Sequence, residues 1–495
     1  MPALSFLSRA SSRPISPPYA LAVRGLGILG AALLLSACST VEPPVLPANL
    51  EAAVSTPFLH QDGWLATANQ AIPTDTNRMH WWELYGDEAL NQLMHAINKN
   101  NPTLEQAQAR WREAQANIAN MRAIDSPQIA ANAAATRAGT STSATSNQLR
   151  TGLTINWLPD LWGRNALRVQ AAQASAQAAH ADVAAARLAL QLSTAENYVQ
   201  LRTLELQRTL LQETQQAYQR ALELTTNQYE SGFVARADVI QAQSQLQSVR
   251  TQLTSNERQY ALTRNAIAAL TGQVPATLNL PASHWQALPE PPAQPAQLPS
   301  ALLLQRPDVA AAQHLLTAAH ARMGVAQKAW LPDLNLNASA ALQAASWSEF
   351  INAPLRIWSL GPALAASVLD GGARQAEQAQ VQAQIDGQAA AWRGQVLQAI
   401  KEVEDALATS AWLLQQHEQQ TEMVKLAQEN LRVMQNQYQS GLVSYLDVAL
   451  VQNQELTNRR NLLDVQAQRL QANMQLFAAL GGNWNAPDAT TLLAP

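Results

Sequence analysis

Cys38 is the only cysteine in the chain and the residue with the most distinctive chemistry. It ends the sequence Leu-Ser-Ala-Cys, a bacterial lipobox, in which the thiol receives a diacylglycerol group. Three arginines, no acid and an apolar run at 26–35 precede it. Because that run is too short to span a bilayer, residues 1–37 are predicted to be a secretory signal peptide. We expect a covalent lipid on Cys38; the alternative is an unmodified thiol beside an ordinary cleavage site.

The other chemistry-bearing residues form no catalytic or metal-binding pattern. The eight histidines are scattered, and His314 and His320 lie six residues apart, which is not the i, i+4 spacing of a helical metal pair. Neither a P-loop nor G-x-S-x-G occurs. The acids Glu402, Glu404 and Asp405 are predicted to form a solvated helix face. We therefore expect no enzyme, no metal and no cofactor beyond the lipid.

Composition excludes several other classes of protein. The chain has 495 residues and a net charge of -4, so it lacks the basic field of a non-specific nucleic-acid binder. Charged residues make up only 14%, and most other polar residues are Gln, Asn, Ser and Thr. Glycine and proline are few and clustered, which favours long helices.

An internal repeat organises the chain. The pattern Tyr-x-x-Gly followed by Asp-Val, which contains Gly232 and Asp238, recurs at a constant offset of 209 residues with Gly441 and Asp447. Repeats of this kind indicate a duplicated unit. The predicted domains are a lipidated N-terminal and equatorial segment (38–100), a first repeat (101–272), a Pro-rich linker (273–305), a second repeat (306–482) and a C-terminal tail (483–495).

The spacing of helix breakers predicts the dimensions of each repeat. Between Gly163 and Gly232 lie 68 residues without Gly or Pro, enough for a helix about 100 Å long. Gly372 and Gly441 have the same spacing, and 39 further residues without Gly or Pro follow each turn. Each repeat is therefore predicted to be a long helix, a tight turn and a returning helix, over about 164–271 and about 373–480.

Alternating apolar and polar residues precede each long helix. Leu153, Ile155 and Trp157 alternate with polar residues. A similar alternation runs from Leu364 to Val368, where the last strand is expected to lie. The pattern predicts four strands of transmembrane length, two over about 128–158 and two over about 333–369, with a Trp-bearing loop between the last two. Four strands cannot close a barrel, and open edges are not tolerated in lipid. Three copies would supply twelve strands, so we predict a trimer.

Several motifs together resemble the outer membrane factor (TolC-like) family, and specifically its lipoprotein, NodT-like branch found with resistance-nodulation-division (RND) efflux pumps. The resemblance covers essentially the whole mature chain. The motifs are WWELYGDxxL at 81–90, NNPxL at 100–104, WxxDLWGR at 157–164, DGG at 370–372 and the two Tyr-x-x-Gly turns.

The resemblance implies a mainly α fold with a transmembrane β-barrel. Three subunits would share a twelve-stranded barrel in the outer membrane, continuous with a long α-helical tube in the periplasm. A periplasmic membrane-fusion adaptor and an inner-membrane RND-type pump would be its partners, besides outer-membrane lipid. The expected function is a passive exit duct for efflux. The alternatives are the duct of a type I protein secretion system and, in a different class, a periplasmic coiled-coil lipoprotein scaffold without a pore.

The resemblance also places a constriction just after the second turn, where relatives commonly carry acids. Asp447 occupies one such position, whereas the acid often found three residues later is replaced by Leu450, and Leu446 stands where some relatives place an apolar ring. We therefore predict a channel gate of one acidic ring beside leucines. The alternative is that Asp447 caps the returning helix, as Asp238 would in the first repeat; the two roles are compatible.

Both turns would lie at the periplasmic tip of the tube. Their glycines are expected to supply the positive φ that such turns require. Apolar residues beside them at an exposed tip indicate a protein partner, and the alternative is packing within the turn. The predicted adaptor-docking residues are Gly232, Phe233, Val234, Gly441, Leu442 and Val443.

Overall fold

A computed structural model describes residues 80–140, 143–280, 285, 287–292, 303–304 and 306–482. The signal peptide, Cys38 and the tail after residue 482 lie outside the described residues. After a 3₁₀ turn, Trp81–Tyr85, come α1 (Glu88–Asn100), α2 (Pro102–Ala123), β1 (Gln128–Thr140), β2 (Ser143–Trp157), α3 (Arg164–Glu230), α4 (Arg236–Leu270), α5 (Pro307–Gln327), β3 (Asp333–Ala344), α6 (Trp347–Asn352), β4 (Leu355–Ala365), α7 (Ala373–Gln439) and α8 (Tyr445–Ala479).

Four long helices dominate the chain, as the breaker spacing predicts. Helices α3 and α7 each contain 67 residues, so each extends about 100 Å. Each starts directly after a glycine with positive φ, Gly163 or Gly372. The returning helices α4 and α8 contain 35 residues each and pack antiparallel along their partners. Within the described ranges, no helix combines the length and the apolarity needed to cross a bilayer.

The four strands form one antiparallel sheet in the order β1-β2-β3-β4. Residues directly opposite in such a sheet share a face, and neighbours along a strand alternate. One side, called the apolar face below, carries Ile129, Leu153, Ile155, Leu336, Leu342, Trp358, Leu360 and Leu364. The other side, called the polar face below, carries Asn132, Thr154, Asn156, Asn335, Asn337, Ser339 and Ser359. This amphipathic sheet is not a feature of a coiled-coil scaffold.

The predicted position of the last strand is wrong. Strand β4 ends at Ala365, so Ala366 and Val368 lie outside it. The preceding segment, predicted to be a loop, forms helix α6 and the first half of β4, which includes Trp358. The error arises because Gly361 and Pro362 suggest a break in the strand. Pro362 is tolerated in β4 because this strand is at the edge of the sheet within one chain.

The N-terminal motif Trp-Trp-Glu-Leu-Tyr-Gly-Asp packs into the core where the helices meet. The Asp87 carboxylate is buried, accepts hydrogen bonds from Ala89 N and Leu90 N at the start of α1, and accepts the Tyr198 hydroxyl at 2.7 Å. The Tyr85 hydroxyl donates to Asn473 Oδ1 at 2.6 Å. The motif therefore fixes α1 to both α3 and α8.

A buried arginine joins the start of the second repeat to its end. Arg306 donates to the Ala479 carbonyl at the end of α8 and pairs with both Asp308 and Glu402 at 2.7 Å. The Asp308 carboxylate also accepts Gln395 Nε2 at 2.6 Å. Glu402, predicted to belong to a solvated helix face, is partly exposed and also balances a buried cation, a role that the prediction did not include.

Candidate functional site

The two helical turns at the far end from the sheet have the same backbone geometry. In the first, Phe233 N donates to Gln228 O at 2.8 Å and Gly232 N donates to Tyr229 O at 2.9 Å. In the second, Leu442 and Gly441 make the corresponding bonds, both at 2.9 Å. This is a Schellman motif, which ends a helix with a residue of positive φ. Gly232 (φ 81°) and Gly441 (φ 73°) supply that residue, as their sequence positions predict.

Asp447 is held at the start of α8, but it is not the N-cap residue. Ser444 is the N-cap; its hydroxyl accepts Asp447 N at 3.4 Å, and its backbone N donates to Asp447 Oδ2 at 3.0 Å. The Ser444 hydroxyl also donates to the same carboxylate oxygen at 2.7 Å. This reciprocal arrangement is a capping box with the acid at its third helical position. Asp447 therefore takes part in capping the helix, but from the third helical position and not as the N-cap residue.

The first repeat has only part of the same arrangement. Asp238 Oδ2 accepts the backbone N of Ala235 at 3.1 Å. The Asp238 N–H bonds to the Ala235 carbonyl, as the Asp447 N–H does to the Ser444 carbonyl, but because alanine occupies the N-cap no side-chain oxygen accepts it as well. Asp238, like Asp447, is therefore a capping acid at the third helical position and not an N-cap.

The apolar residues at the turns differ in exposure. The side chains of Phe233 and Leu442 are 82% and 74% exposed. Val234 and Val443, which follow them, are only partly exposed. The structure therefore divides the apolar residues of the predicted docking set into two that are well exposed and two that are partly buried.

The three predicted gate residues lie together on the first two turns of α8. Leu446 and Leu450 are four residues apart, on one side of the helix, and both are exposed. Asp447 lies beside them and is partly exposed. One charged and two apolar side chains thus border one stretch of surface. In a narrow passage, a charged group can repel ions of the same sign and apolar groups can exclude water.

A tyrosine pair that sequence reasoning missed joins the two helical hairpins behind this surface. Tyr445 is buried, and its ring packs edge-on against that of Tyr438 at 5.8 Å between centroids. The Tyr438 hydroxyl donates to Gln228 Oε1 of the first hairpin at 2.9 Å. Burial, with a smaller effect of Tyr438, raises the pKa of Tyr445 to about 12. The repeated Tyr-x-x-Gly motif marks Tyr438, but no local pattern marks Tyr445.

In the part of the chain that the structure describes, no group of three or more His, Cys, Asp or Glu side chains is placed to hold a metal ion. Among the described residues, the turns and the sheet therefore present exposed surfaces but no metal-binding cluster.

Comparisons with known proteins give the family. The family model described as "Outer membrane efflux protein" matches residues 93–273 and 298–482. The pyoverdine export outer membrane protein OpmQ of Pseudomonas putida is 28% identical over 484 residues, which cover 94% of this chain and 99% of the relative. Outer membrane protein OprJ of Pseudomonas aeruginosa is also 28% identical, over 93% of this chain and 96% of the relative.

A solved structure agrees in fold. The outer membrane protein VceC from Vibrio cholerae has a TM-score of 0.73 at 28% identity and covers 81% of this chain and 98% of its own. The family match begins within α1 and covers both repeats, from α2 to α8, with the four strands and both helical turns. The chain therefore belongs to the outer membrane efflux protein family.

Proposed function

We propose that three copies of this chain form the outer-membrane exit duct of a tripartite efflux system. The observation that carries this proposal is the continuity of a four-stranded amphipathic sheet with two helical hairpins, each led by a 67-residue helix. A sheet with one apolar and one polar face suits a water-filled barrel in lipid. Helices about 100 Å long suit a tube that extends from that barrel into the periplasm.

Trimer formation follows from the edges of the sheet. Strands β1 and β4 each have one side that pairs with no other strand of the described chain. Unpaired backbone groups are costly in lipid, so each β1 would pair with the β4 of a neighbouring copy. Three copies then close a barrel of twelve strands, with the polar face of each sheet towards the channel.

The gate would lie at the tip of the tube. Three copies of Asp447 would form one acidic ring, bordered by Leu446 and Leu450. A ring of carboxylates favours cations over anions, and the neighbouring leucines limit hydration of the passage. The duct itself needs no catalytic group, because transport through it is passive.

The exposed tips would bind a periplasmic membrane-fusion adaptor, which in turn contacts an inner-membrane RND-type pump. Phe233 and Leu442 are the most exposed large apolar side chains of the two turns and offer apolar anchors. Cys38 would carry the covalent lipid that adds an anchor in the outer membrane.

Reconstitution tests the proposal. Purified protein in lipid vesicles should run as a heat-modifiable trimer and should admit small solutes such as sugars. The matched control is a variant with Pro in place of Thr154, which removes a backbone donor from β2, a central strand of the sheet. It should fail to form the barrel and leave the vesicles sealed. A folded wild-type trimer that leaves vesicles sealed to every small solute would contradict the proposal.

A further inference from the structure

The apolar face of the sheet has two charged residues, and both are arginines. Arg137 shares this face with Ile129 in β1, and Arg356 shares it with Trp358 in β4. In the described strand residues, the apolar face contains no acid to balance them. Both arginine side chains are exposed, and neither makes an ion pair with a described residue. An arginine on a lipid-facing surface is stable only where an anion or water can reach it.

The position of Arg137 along the strand places it at one boundary of the membrane. Eight residues separate it from Ile129, which corresponds to about 27 Å along the strand. At the usual tilt of a barrel strand this is about 20 Å along the membrane normal, close to the height of the apolar band in such barrels. Arg137 lies near the β1–β2 connection, at the opposite end from the helices. Under the proposed function, that end faces the outer leaflet.

A groove of about 370 Å³ opens beside Arg137. Ala135 and Leu149, which pair directly in the sheet, form its apolar floor. Asn147, the residue opposite Arg137, adds an amide that can hydrogen-bond. Trp347, the first residue of α6, borders the groove. The groove therefore combines a cation, a polar donor and an apolar floor on one lipid-facing surface.

Helix α6 is oriented to support this groove. Trp347 and Ile351 lie one turn apart and are both well exposed, and Phe350 packs edge-on against Trp347 at 6.0 Å. Glu349 accepts Ala345 N and lines a second cavity, which shares Asn147 with the groove but also reaches polar-face residues of the sheet. Glu349, the only acid of this helix, does not line the groove, and the aromatic residues of the helix suit a membrane interface.

We propose that this groove binds a phosphate-bearing, acylated lipid of the outer leaflet. Its phosphate would contact Arg137 and Asn147, and its acyl chains would lie on Ala135 and Leu149. A guanidinium binds phosphate with paired, charge-assisted hydrogen bonds, which a neutral headgroup cannot accept as strongly. The inference rests on the proposed function, because it uses the orientation of the barrel in the outer membrane.

The test uses the full-length trimer in detergent, with native mass spectrometry to count bound lipid. The probes are lipid A with its two phosphates and the same lipid after enzymatic dephosphorylation. We expect the phosphorylated form to bind more tightly. Arg137→Gln should weaken its binding roughly tenfold to a hundredfold, as for a lost hydrogen bond to a charged group. Arg137→Lys should retain part of the affinity.

Arg150→Gln is the matched control. Arg150 belongs to the same hairpin but lies on the polar face, opposite Gln343, so its loss should leave lipid binding unchanged. Equal binding of the two lipid forms, or an equal loss in Arg150→Gln, would overturn the inference. Inorganic phosphate that binds as tightly as the lipid would overturn it too, because the acyl contacts would then contribute nothing.

Two further measurements keep the test decisive. If Arg137→Gln fails to form trimers, Trp347→Ala replaces it and should weaken binding of the phosphorylated and dephosphorylated forms alike. Solute permeation is recorded for every variant and should not change. A wild-type trimer that conducts solutes but shows no preference for the phosphate refutes the lipid site alone, whereas sealed vesicles refute the proposed duct.

Discussion

At the scale of single residues, Asp447 has a role in the fold that can be separated from its proposed role in the gate. Its carboxylate accepts two hydrogen bonds from Ser444, and its negative charge lies beside exposed leucines. The hydrogen bonds need only an acceptor oxygen, whereas selectivity for cations needs the charge. A substitution that retains the acceptor and removes the charge therefore distinguishes the two roles.

Asp447→Asn should lower the cation selectivity of single channels while costing no more than about 1 kcal/mol of stability. Ion selectivity is read from reversal potentials in a salt gradient. Asp238→Asn is the control, because Asp238 makes the same contact with its N-cap backbone in the first repeat. Unchanged selectivity in Asp447→Asn would leave this acid as a capping residue only.

Phe233→Asp and Leu442→Asp should each reduce capture of the adaptor at least tenfold, since each introduces a charge where an apolar anchor is proposed. A pull-down with the purified adaptor measures this. Ser231→Asp is the control, because it adds the same charge at an exposed position of the first turn without removing an apolar group. If capture persists in both apolar variants, the tips are not the docking surface.

Charge burial at the start of the second repeat predicts a dependence of stability on pH. Burial alone would raise the pKa of Asp308, but hydrogen bonds from Arg306 and its charge, with a contribution from Gln395, hold that pKa below its usual 3.8. A carboxylate whose pKa is lower in the folded than in the unfolded protein stabilises the folded state at pH values above its unfolded-state pKa. This contribution is lost as the pH falls through its folded-state pKa.

Asp308→Asn should therefore lower the stability of the trimer at neutral pH and flatten its loss of stability below about pH 4. Thermal unfolding in detergent between pH 3 and pH 7 measures both effects. Asp405→Asn provides the comparison, because Asp405 forms an exposed pair with Lys401 and should change stability little. Parallel pH profiles for wild type and Asp308→Asn would contradict the assignment.

At the scale of elements, the turn glycines determine where the long helices end. No atom lies within 4 Å of the position that a β-carbon would take at Gly232 or Gly441, so the constraint at these positions is backbone conformation. Alanine at positive φ costs about 1 kcal/mol or more. Gly387, inside helix α7, is equally free of neighbours but has helical backbone.

Gly232→Ala and Gly441→Ala should each destabilise the trimer by about 1 kcal/mol, whereas Gly387→Ala should stabilise it by about 0.5–1 kcal/mol. Thermal unfolding of the three variants measures this, because the turn variants and Gly387→Ala should change the stability in opposite directions. Loss of stability in all three variants would mean that crowding between subunits, and not φ, governs these positions.

The elements also show what sequence alone can predict. The helices follow from glycine spacing because Gly163, Gly232, Gly372 and Gly441 all have positive φ, a local property. Strand β4 could not be placed, because Gly361 and Pro362 locally indicate a break, whereas in the structure the strand continues through both residues. Helix α6 has a local signal in its Ser-x-x-Glu sequence: Ser346 is the N-cap, and its Oγ accepts Glu349 N.

The contacts that hold the core together could not be predicted in the same way. Tyr85 reaches Asn473, 388 residues away in sequence, and Tyr198 reaches Asp87 across 111. No pattern within either segment specifies such a partner. The candidate site follows the same division: the repeated Tyr-x-x-Gly motif predicts both turns, whereas the packing of Tyr445 between the hairpins depends on tertiary structure.

At the scale of the whole molecule, the sheet edges determine the assembly. A chain of this outer-membrane efflux family with two open edges cannot remain alone in lipid, because the unpaired backbone groups would be unsatisfied. The lipid proposed on Cys38 is an additional anchor and takes no part in closing the barrel.

Cys38→Ser should therefore remain a heat-modifiable trimer and admit solutes into vesicles as well as the wild type does. Its lipid modification should disappear, which metabolic labelling with a fatty acid would measure. Wild-type protein supplies the positive control for labelling. Loss of the trimer in Cys38→Ser would show that the lipid is needed for assembly, and unchanged labelling would place the modification elsewhere.

The two turns of one subunit are alike in shape but unequal in how firmly the following helix is anchored. The Ser444 hydroxyl makes two hydrogen bonds with Asp447 that Ala235 cannot make with Asp238, although the backbone of each N-cap residue contacts its acid in the same way. Around the rim of a trimeric tube, stiff and compliant hairpins would then alternate. Widening of the rim would begin at three evenly spaced points, so the mouth would pass through a triangular outline before it became round.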